Sequence, residues 1–549
     1  MATSKGSRSA FTNADQPSFA DLIARIGTAD LPKLTRQNWC WALRTIARVA
    51  GKGSGAVPAH PEYLRRMMAK AAPAAMKLGG PAWNNAKSLA GKAMAWAGLT
   101  SIPGHYQAPY THEWASLWSS LPAKTALSFQ LSRFFHYCSA GGIRPSDVGN
   151  AVFQQFHEAL IEESLIGNPY EAYRGAAKSW NNAVEHIAGW PQVRVSVPSK
   201  RGAPFSLPWS AFPEGLGSQV EAHLASLSKV DLDGDRSRPM RPATIETRRK
   251  QLLWLSSALV HSGTAASSLD SLEVILLLDR RGGDTYPALA NLAQFLPALA
   301  RRIGLSADTV SALKRFKKAL QVTRHGLAAR HRATLQRFDD PAAVQALVEL
   351  PRRIRELVER SGRKGAREAK LLQSAVAIEL LLVAPVRISN LASIEIHRHL
   401  VTVRTDPRER HLRFPLHQVK NEQDLEFPLH AATLELVDLY LKEYRVLLVK
   451  EPGDFLFPGK RSGHPKVAHA LSHQINLTVH KYTGLEMPAH RFRHATAKIF
   501  LDRNPGQYEV IRQFLAHKDI RTTITFYAGA EGPAAARHYY KTILKLRGE

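Results

Sequence analysis

Apolar residues recur at helical spacing through the first two hundred residues. Two stretches with this pattern are RQNWCWALRTIARVAG, from Arg36, and AKTALSFQLSRFFHYCSAGG, from Ala123. A spacing of three and four residues places apolar side chains on one face of an α-helix. Each stretch ends in glycine, which commonly follows the last turn of a helix. The pattern therefore predicts helical modules in this part of the chain.

The tetrapeptide Trp-Asn-Asn-Ala occurs twice, in PAWNNAKSLAGKAMAWAG from Pro81 and in KSWNNAVEHIAGW from Lys178. Each copy follows a pair of helix-like stretches, which indicates two related helical modules at 1–108 and 109–200. Prolines are frequent between Trp190 and Pro213. Proline disfavours regular structure, so we predict a linker and a domain boundary there.

A third helical unit is predicted over 214–345, and at 351 the pattern changes. The apolar helical stretch LLQSAVAIELLLVA is followed by three short β-rich runs, LASIEIHRHLVTVRT, RHLRFPLHQVK and DLEFPLH. Helical patterns return from Ala431 onward. We therefore predict a mainly α, multi-domain chain whose last domain, 351–549, is an α+β domain with a small antiparallel sheet.

The net charge of the chain indicates what kind of partner it binds. The 74 Lys and Arg exceed the 46 Asp and Glu by 28, and the pI is near 10.2. Such an excess favours a polyanionic partner, with double-stranded DNA the first choice and a membrane surface the alternative. No run of eighteen apolar residues occurs and the start of the chain is polar, so we expect no membrane span and no signal peptide. We expect a cytoplasmic, DNA-associated bacterial protein.

Cysteine usage agrees with this location. Cys40 and Cys138 lie far apart in helix-like surroundings, which makes a disulfide or a thiolate metal site an improbable use for them. His469 and His473 are four residues apart on a predicted helix, but no Cys or acidic residue accompanies them at metal spacing. No metal ion or cofactor is expected.

Three clusters in the last domain carry candidate chemistry. Arg387 lies in APVRISNL, His490 and Arg493 lie in PAHRFRHATAKIF, and His517 and Tyr527 lie in RQFLAHKDIRTTITFYAGA. A spacing of three places His490 and Arg493 on one helix face. Arg offers a planar fork to phosphate oxygens, and His donates or exchanges a proton. The clusters suggest phosphate chemistry, although each taken alone fits a surface or core role.

Taken together and in this order, these residues resemble the tyrosine recombinase (phage integrase) family. That family has an Arg in an RIS box, a Lys in a β-hairpin, a His-x-x-Arg pair, a later His or Trp, and then a nucleophilic Tyr. The resemblance covers about 360–530 and extends more loosely to the preceding helical unit, which looks like the family's SAM-like core-binding domain. It implies six catalytic residues: Tyr527, Arg387, Lys420, His490, Arg493 and His517.

The resemblance also implies how these residues act. A phenol with a pKa of about 10 is a poor nucleophile at neutral pH, so it needs a positive, partly dehydrated pocket and a base. Arg387, Arg493 and His517 would supply charge around the phosphate without a metal. Lys420 would protonate the departing 5′-oxygen, and His490 would act as general base or proton relay. The product would be a 3′-phosphotyrosyl bond, which a second DNA hydroxyl can reverse without ATP.

Two of these assignments have competitors in the sequence. Lys442, Lys450 and Lys460 lie in the same interval as Lys420, which we prefer because it falls in the turn KNEQ between two β-rich runs. Tyr539 and Tyr540 compete with the predicted nucleophile. They lie in AAARHYYKTILKL, a helical stretch that is better suited to packing against a neighbouring protomer.

The chain departs from the family pattern at three positions. The first box usually reads GLRISEL, whereas this chain has Pro385 in place of Gly and Asn390 in place of Glu. The family's LGH reads LAH here, with Ala516. These changes affect local packing and hydrogen bonds around the six side chains.

Further DNA contacts are expected from basic residues outside the six. The stretch 351–370 is interpreted as a basic connector that either contacts DNA or forms a solvated charged helix. Contacts of this kind would fix the register of the protein on DNA and weaken as salt rises. The candidates are Arg241, Arg248, Arg249, Lys250, Arg363, Lys364, Arg491 and His494.

The leading hypothesis is a site-specific tyrosine recombinase acting in integration, excision or transposition. By resemblance, it would assemble as a homo-oligomer, a tetramer on two DNA sites, or with related recombinases. The alternatives are a non-catalytic DNA-binding or architectural protein and a type IB topoisomerase-like enzyme. The six-residue set disfavours the first alternative, and the helical units upstream disfavour the second.

Overall fold

The structure is a computed structural model. It describes residues 17–100, 109–123, 125–199, 205–229, 239–261, 287–302, 304–320, 329–403, 409–449, 451, 453–527 and 532–547. The chain divides into two compact units, one formed by Met1–Ser196 with His325–Glu549 and the other by Val197–Arg324.

The N-terminal part of the first unit is helical. Helix α1 begins with a capping box, in which the Ser18 hydroxyl accepts from the Asp21 amide at 3.3 Å and the Asp21 carboxylate accepts from the Ser18 amide at 2.8 Å. The helices here are α1 Phe19–Thr28, α2 Lys33–Val49, α3 Pro61–Ala69, α4 Gly80–Trp96, α5 His112–Ser119, α6 Ala126–Ala140, α7 Asn150–Glu162 and α8 Pro169–His186.

These helices enclose two hydrophobic clusters. Helices α1 to α4 bury one cluster, and α5 to α8 bury another that is rich in aromatic rings. The Trp-Asn-Asn-Ala copies occupy different parts of their helices, since Trp83 lies in the first turn of α4 and Trp180 near the end of α8. Arg65 is buried and donates to the carbonyls of Leu160, Ile161 and Ser164, which ties α3 to the end of α7.

The second unit is also helical where it is described. Its core includes Leu216, Val220, Leu252, Leu299 and Leu313. Its helices are α9 Glu214–Leu227, α10 Pro242–His261, α11 Pro287–Ala293, α12 Leu296–Arg302 and α13 Ala307–Ala319.

The C-terminal part of the first unit combines helices with one small sheet. Its helices are α14 Ala329–Gln336, α15 Pro341–Val348, α16 Leu350–Ser361, α17 Ala366–Val383, α18 Ile388–Ala392, α19 Ile396–His399, α20 Ala431–Leu439, α21 Ala468–Thr483, α22 Ala489–Arg503, α23 Tyr508–Phe514, α24 Ile520–Tyr527 and α25 Gly532–Arg547. Its strands are β1 Leu400–Thr402, β2 Arg410–Phe414 and β3 Leu425–Leu429.

Helix α17 lies at the centre of this domain, because its apolar residues are buried around most of its circumference. Helix α16 packs on it through Leu350, Ile354 and Val358. The basic stretch 351–370 is therefore mostly helix α16 and the start of α17, packed into the domain, and not a connector between domains. The same core includes Leu335 and Phe338, so it begins inside the range 214–345 predicted for the preceding unit.

The sheet has the order β1-β2-β3 with antiparallel pairing, in which Leu412 lies opposite both Leu400 and Phe427. Much of the first β-rich run is not a strand, because α19 occupies its middle and the His399 imidazole accepts the Glu395 amide at 2.9 Å. The mainly helical fold with a small antiparallel sheet is confirmed. Among the described helices, none is long and apolar enough to cross a membrane.

Candidate active site

Arg387 is held at the start of α18 by the turn that follows α17. Pro385 disfavours helix in the residue before it, and α17 ends at Val383. Arg387 adopts an extended conformation as the N-cap of α18. Its Nη2 donates to Asn421 Oδ1 at 3.0 Å, and burial lowers the pKa of the guanidinium.

Arg493 projects from α22 into the same region. Its Nη1 donates to the Pro385 carbonyl at 2.5 Å and its Nη2 to the Leu515 carbonyl at 2.7 Å. Burial, followed by the charge of Arg387, lowers the pKa of Arg493 to about 10, and Tyr527 opposes the shift. Arg493 therefore joins the loop before α18 to the end of α23 and remains a cation at neutral pH.

His517 follows α23 through a left-handed residue, Ala516, whose φ is +48°. A distance of 2.8 Å joins His517 Nδ1 to the hydroxyl of the fully buried Thr523. Burial, followed by the charges of Arg493, Arg387 and Arg512, lowers the pKa of His517 to about 4. At neutral pH the imidazole is therefore uncharged in the DNA-free protein.

Tyr527 is the last residue of helix α24. Its side chain is 1% exposed, and it packs with residues of α22 and α23 such as Leu501 and Ile511. The phenol oxygen lies 2.9 Å from His494 Nδ1. Burial raises the pKa of Tyr527, and the nearby charge of Arg493 opposes that shift.

Lys420 occupies a β-turn between β2 and β3. The turn is closed by the Glu422 amide, which donates to the Val419 carbonyl at 3.0 Å, and the Lys420 side chain is exposed. His490 is exposed in the first turn of α22. The imidazole bonded to the Tyr527 phenol is that of His494, one turn further along the helix.

The structure thus gathers four of the six predicted residues, Arg387, Arg493, His517 and Tyr527, from three separate segments. It links the turn that carries Lys420 to Arg387 through Asn421. Two residues that bond to the predicted site residues, Asn421 and His494, were not predicted in these roles from the sequence. Asn421 carries no signal beyond the ordinary preference of Asn for turns. His494 was expected to contact DNA, although its position four residues after His490 places both rings on one helix face.

The electrostatics of the site favour an anion. Arg387 and Arg493 lie close enough that the charge of Arg387 disfavours the charged form of Arg493. Within the described part of the chain, neither guanidinium forms an ion pair with a carboxylate; their partners are carbonyls and the Asn421 amide. Both side chains are partly buried, and a cation withdrawn from water without a compensating charge costs free energy. A phosphodiester would supply the missing negative charge and accept the guanidinium donors.

The predicted DNA contacts have varied surroundings. Arg248 lies over the Phe295 ring at 4.2 Å, and Arg491 donates to the Thr334 hydroxyl at 2.9 Å. Within the second unit Arg249 forms an ion pair with Glu221 at 2.7 Å and Lys250 with Glu246 at 3.5 Å; Lys364 pairs with Glu443 at 2.7 Å. Arg241 and Arg363 are exposed. Their DNA contacts stay predictions.

Other candidate chemistry lies away from this site. A cavity of about 610 Å³ is lined by Lys370, Arg445 and Lys466, and none of the six predicted residues contributes to it. The described residues contain no group of three or more His, Cys, Asp or Glu side chains placed to hold a metal ion. Both cysteines are free thiols, and Cys138 is buried.

Comparison with known proteins supports the reading of the C-terminal domain. The model of the phage integrase family matches residues 352–531. No curated protein matches the chain. Among solved structures, the XerH site-specific recombinase bound to difH substrate shares 14% identity over 56% of this chain and 89% of its own, with a TM-score of 0.30.

Two further solved structures are similar at the same level. XerA recombinase shares 16% identity over 60% of this chain and 98% of its own, with a TM-score of 0.25. The Tn1549 transposon integrase in complex with transposon right end DNA shares 16% identity over 52% of this chain and 97% of its own, with a TM-score of 0.26. The resemblance drawn from the sequence motifs is confirmed by the family match: this chain carries a phage integrase family domain at residues 352–531.

Proposed function

We propose that the protein is a site-specific tyrosine recombinase that cuts and rejoins double-stranded DNA through a 3′-phosphotyrosyl intermediate. The observation that carries the proposal is the pair of guanidinium groups, Arg387 and Arg493, which have no carboxylate partner among the described residues, with the Tyr527 phenol close to Arg493. A binding module needs cations, but it does not need a tyrosine hydroxyl that lies near one of them and is bonded to a histidine.

The proposed step is an in-line transfer at phosphorus. The Tyr527 oxygen forms a bond to the phosphorus, and the bond from phosphorus to the 5′-oxygen breaks. Lys420 gives its proton to the departing 5′-oxygen. The phenol proton passes to the imidazole hydrogen-bonded to it, His494, with His490 as the predicted relay partner. Attack by a 5′-hydroxyl of another strand reverses every bond change and releases the tyrosine.

Arg387 and Arg493 would hold the non-bridging oxygens and stabilise the charge that develops there. Bound phosphate would also offset the repulsion between the two cations. His517, uncharged in the DNA-free protein, would donate a hydrogen bond to the phosphate and would become easier to protonate once the phosphate is bound. We further propose that recombination needs several protomers on two DNA sites.

The test is capture of the covalent intermediate. Duplexes that bind the full-length protein are first selected from a random library, and a nick is then placed at successive positions near the bound sequence. Cleavage next to the nick releases a short fragment that diffuses away, so the protein stays attached to DNA. We expect wild-type protein to yield an adduct that survives denaturing electrophoresis. Tight binding with no adduct at any nick would favour the non-catalytic DNA-binding alternative.

The topoisomerase-like alternative predicts a different product. Such an enzyme relaxes supercoiled DNA of arbitrary sequence, whereas a site-specific recombinase exchanges strands between two copies of its selected site. Incubating the protein with a supercoiled plasmid that lacks the selected site distinguishes the two. Relaxation of that plasmid would favour the topoisomerase-like reading.

A further inference from the structure

We propose that Asn421 is a positioning residue that holds Lys420 at the scissile phosphate. This inference rests on the proposed function and deepens it. Asn421 joins three parts of the site with one amide: its Oδ1 accepts from Arg387 Nη2 at 3.0 Å, and its Nδ2 donates to the Ala516 carbonyl. Its backbone is bonded directly to that of Lys420.

The turn around Asn421 leaves Lys420 little freedom in its main chain. Lys420 and Asn421 are the two central residues of the β-turn closed by Glu422 and Val419. Val419 is fully buried in the domain core. Glu422 has a left-handed φ of +54° and lies 3.9 Å from the ammonium group of Lys518.

The residues before the turn are fixed as well. Asn390 Nδ2 donates to the Gln418 carbonyl at 3.2 Å, and His399 Nε2 lies 2.7 Å from Gln418 Oε1. At the base of the loop, the Leu416 amide donates to the Asp424 carboxylate at 2.7 Å. The loop between β2 and β3 is therefore bound on both sides of Lys420, and Asn421 supplies the attachment on the side of the guanidinium pair.

The oxygen and the nitrogen of the Asn421 side-chain amide explain why Asn suits this position. Its oxygen must accept from a cation while its nitrogen donates to a carbonyl, and an amide provides both at once. A carboxylate could accept from Arg387 but would repel the Ala516 carbonyl. Lys420 has a flexible side chain, and general acid catalysis requires its ammonium group within hydrogen-bond reach of the leaving oxygen. Fixing the main chain of Lys420 therefore favours proton donation.

The inference predicts a defect specific to proton donation. We expect Asn421→Ala to slow adduct formation on the nicked duplex by about 10- to 100-fold, part of the 10²- to 10⁴-fold that general acid catalysis contributes. DNA binding should change less than about two-fold. Asn421→Asp, which keeps the acceptor for Arg387 and loses the donor to Ala516, should show an intermediate defect.

A substrate with a sulfur atom in place of the 5′-bridging oxygen separates positioning of the acid from other roles. A thiolate leaves without protonation at neutral pH, so Lys420→Ala should recover most of its rate on this substrate. Asn421→Ala should recover in parallel. Arg493→Ala should not recover, because its defect concerns the non-bridging oxygens. Gln423→Ala, in the same loop, is the matched control and should behave as wild type on both substrates.

The possible outcomes separate this inference from the proposed function. No adduct from wild-type protein on either substrate overturns both. A normal rate for Asn421→Ala, or a slow rate that persists on the sulfur substrate, overturns the role of Asn421 alone. Thermal unfolding of each variant shows whether it is folded, and Asn421→Asp provides the second test if Asn421→Ala unfolds.

Discussion

Two buried tyrosines in the C-terminal domain have similar surroundings in outline and different chemistry in detail. Tyr440 is 0% exposed and Tyr527 is 1% exposed. Burial raises the pKa of both phenols, and a nearby guanidinium, Arg445 or Arg493, opposes the shift in each case. Each of these arginines also donates to two backbone carbonyls.

The difference lies in what surrounds the phenol oxygen. The Tyr440 hydroxyl accepts from Gln373 at 2.8 Å and donates to the Leu456 carbonyl at 3.1 Å, so neutral protein groups satisfy it. The Tyr527 hydroxyl faces His494, a group able to take its proton. A second guanidinium, Arg387, lies near Arg493. Burial and one nearby cation are therefore common to both tyrosines. The proton acceptor and the uncompensated pair of cations are what support the proposal that Tyr527 is the nucleophile.

Removing each of the two hydroxyls should give the largest difference between the two tyrosines. We expect Tyr527→Phe to abolish the covalent DNA adduct and to retain DNA binding. Tyr440→Phe should keep the adduct but lower the free energy of unfolding by about 1–3 kcal/mol, because the Gln373 side-chain nitrogen and the Leu456 carbonyl lose the hydroxyl that they bond. Electrophoresis of adducts and chemical denaturation measure the two effects. An adduct formed by Tyr527→Phe at the wild-type rate would contradict the assignment.

The two arginines give the next largest contrast. Arg493→Ala should slow adduct formation by about 10²- to 10³-fold, as expected for loss of a donor to a developing oxyanion, with site binding largely retained. Arg445→Ala is the matched control, because it also removes donors to two carbonyls. It should cost about 1–3 kcal/mol of stability and leave cleavage by the folded protein unchanged. Equal loss of binding and cleavage in folded Arg493→Ala would assign that residue to binding alone.

The backbone next to His517 offers a smaller test. A left-handed φ costs a residue with a Cβ about 1–2 kcal/mol, and glycine removes that cost while losing a buried methyl group and gaining unfolded-state entropy. Ala516→Gly should therefore be neutral or stabilising by up to about 1 kcal/mol. Ala470→Gly, at an exposed position of α21, should destabilise by about 1 kcal/mol. Equal destabilisation in denaturant melts would show that Ala516 carries no backbone strain.

The smallest expected effect is on the titration of His517. Its folded pKa, about 4, lies below its ordinary value of 6.5, so the unfolded chain binds a proton that the folded protein does not. Its contribution to stability is present above pH 6.5 and is lost as the pH falls through 4. Binding of an uncut duplex to Tyr527→Phe should raise this pKa, because phosphate offsets the two guanidinium charges. Nuclear magnetic resonance of the imidazole measures it, and an unchanged pKa would place the phosphate elsewhere.

The sequence predicted those helices and strands whose pattern of apolar residues lies within the element itself. The apolar stretch of α17 and the alternating pattern of β2 and β3 predicted their elements. The strand predicted for the first β-rich run was wrong in its middle. A short helix forms there, and the His399 imidazole accepts a hydrogen bond from the Glu395 amide at its start. For the basic stretch before α17, the structure gives a helix whose apolar face, Leu350, Ile354 and Val358, is not evident from a count of charges; its contact with DNA stays a prediction.

In the candidate site, too, local features were predictable and contacts between distant residues were not. Their spacing predicted that His490 and Arg493 share a helix face. The order of the motifs, which resembles that of the family, implied Arg387 and Tyr527 as further site residues. Contacts that depend on three-dimensional placement were beyond reach, because no local pattern joins Asn421 to residues 34 and 95 positions away. The partner of the Tyr527 phenol was missed for the same reason.

The most direct measurement identifies the residue that carries the DNA. After the adduct is trapped and the DNA is digested, trypsin cleaves after Arg521 and Arg537 and gives a peptide whose only tyrosine is Tyr527. The competing tyrosines, Tyr539 and Tyr540, lie together in the next peptide. We predict that mass spectrometry finds the nucleotide on the first peptide. A nucleotide on the second peptide would contradict the account.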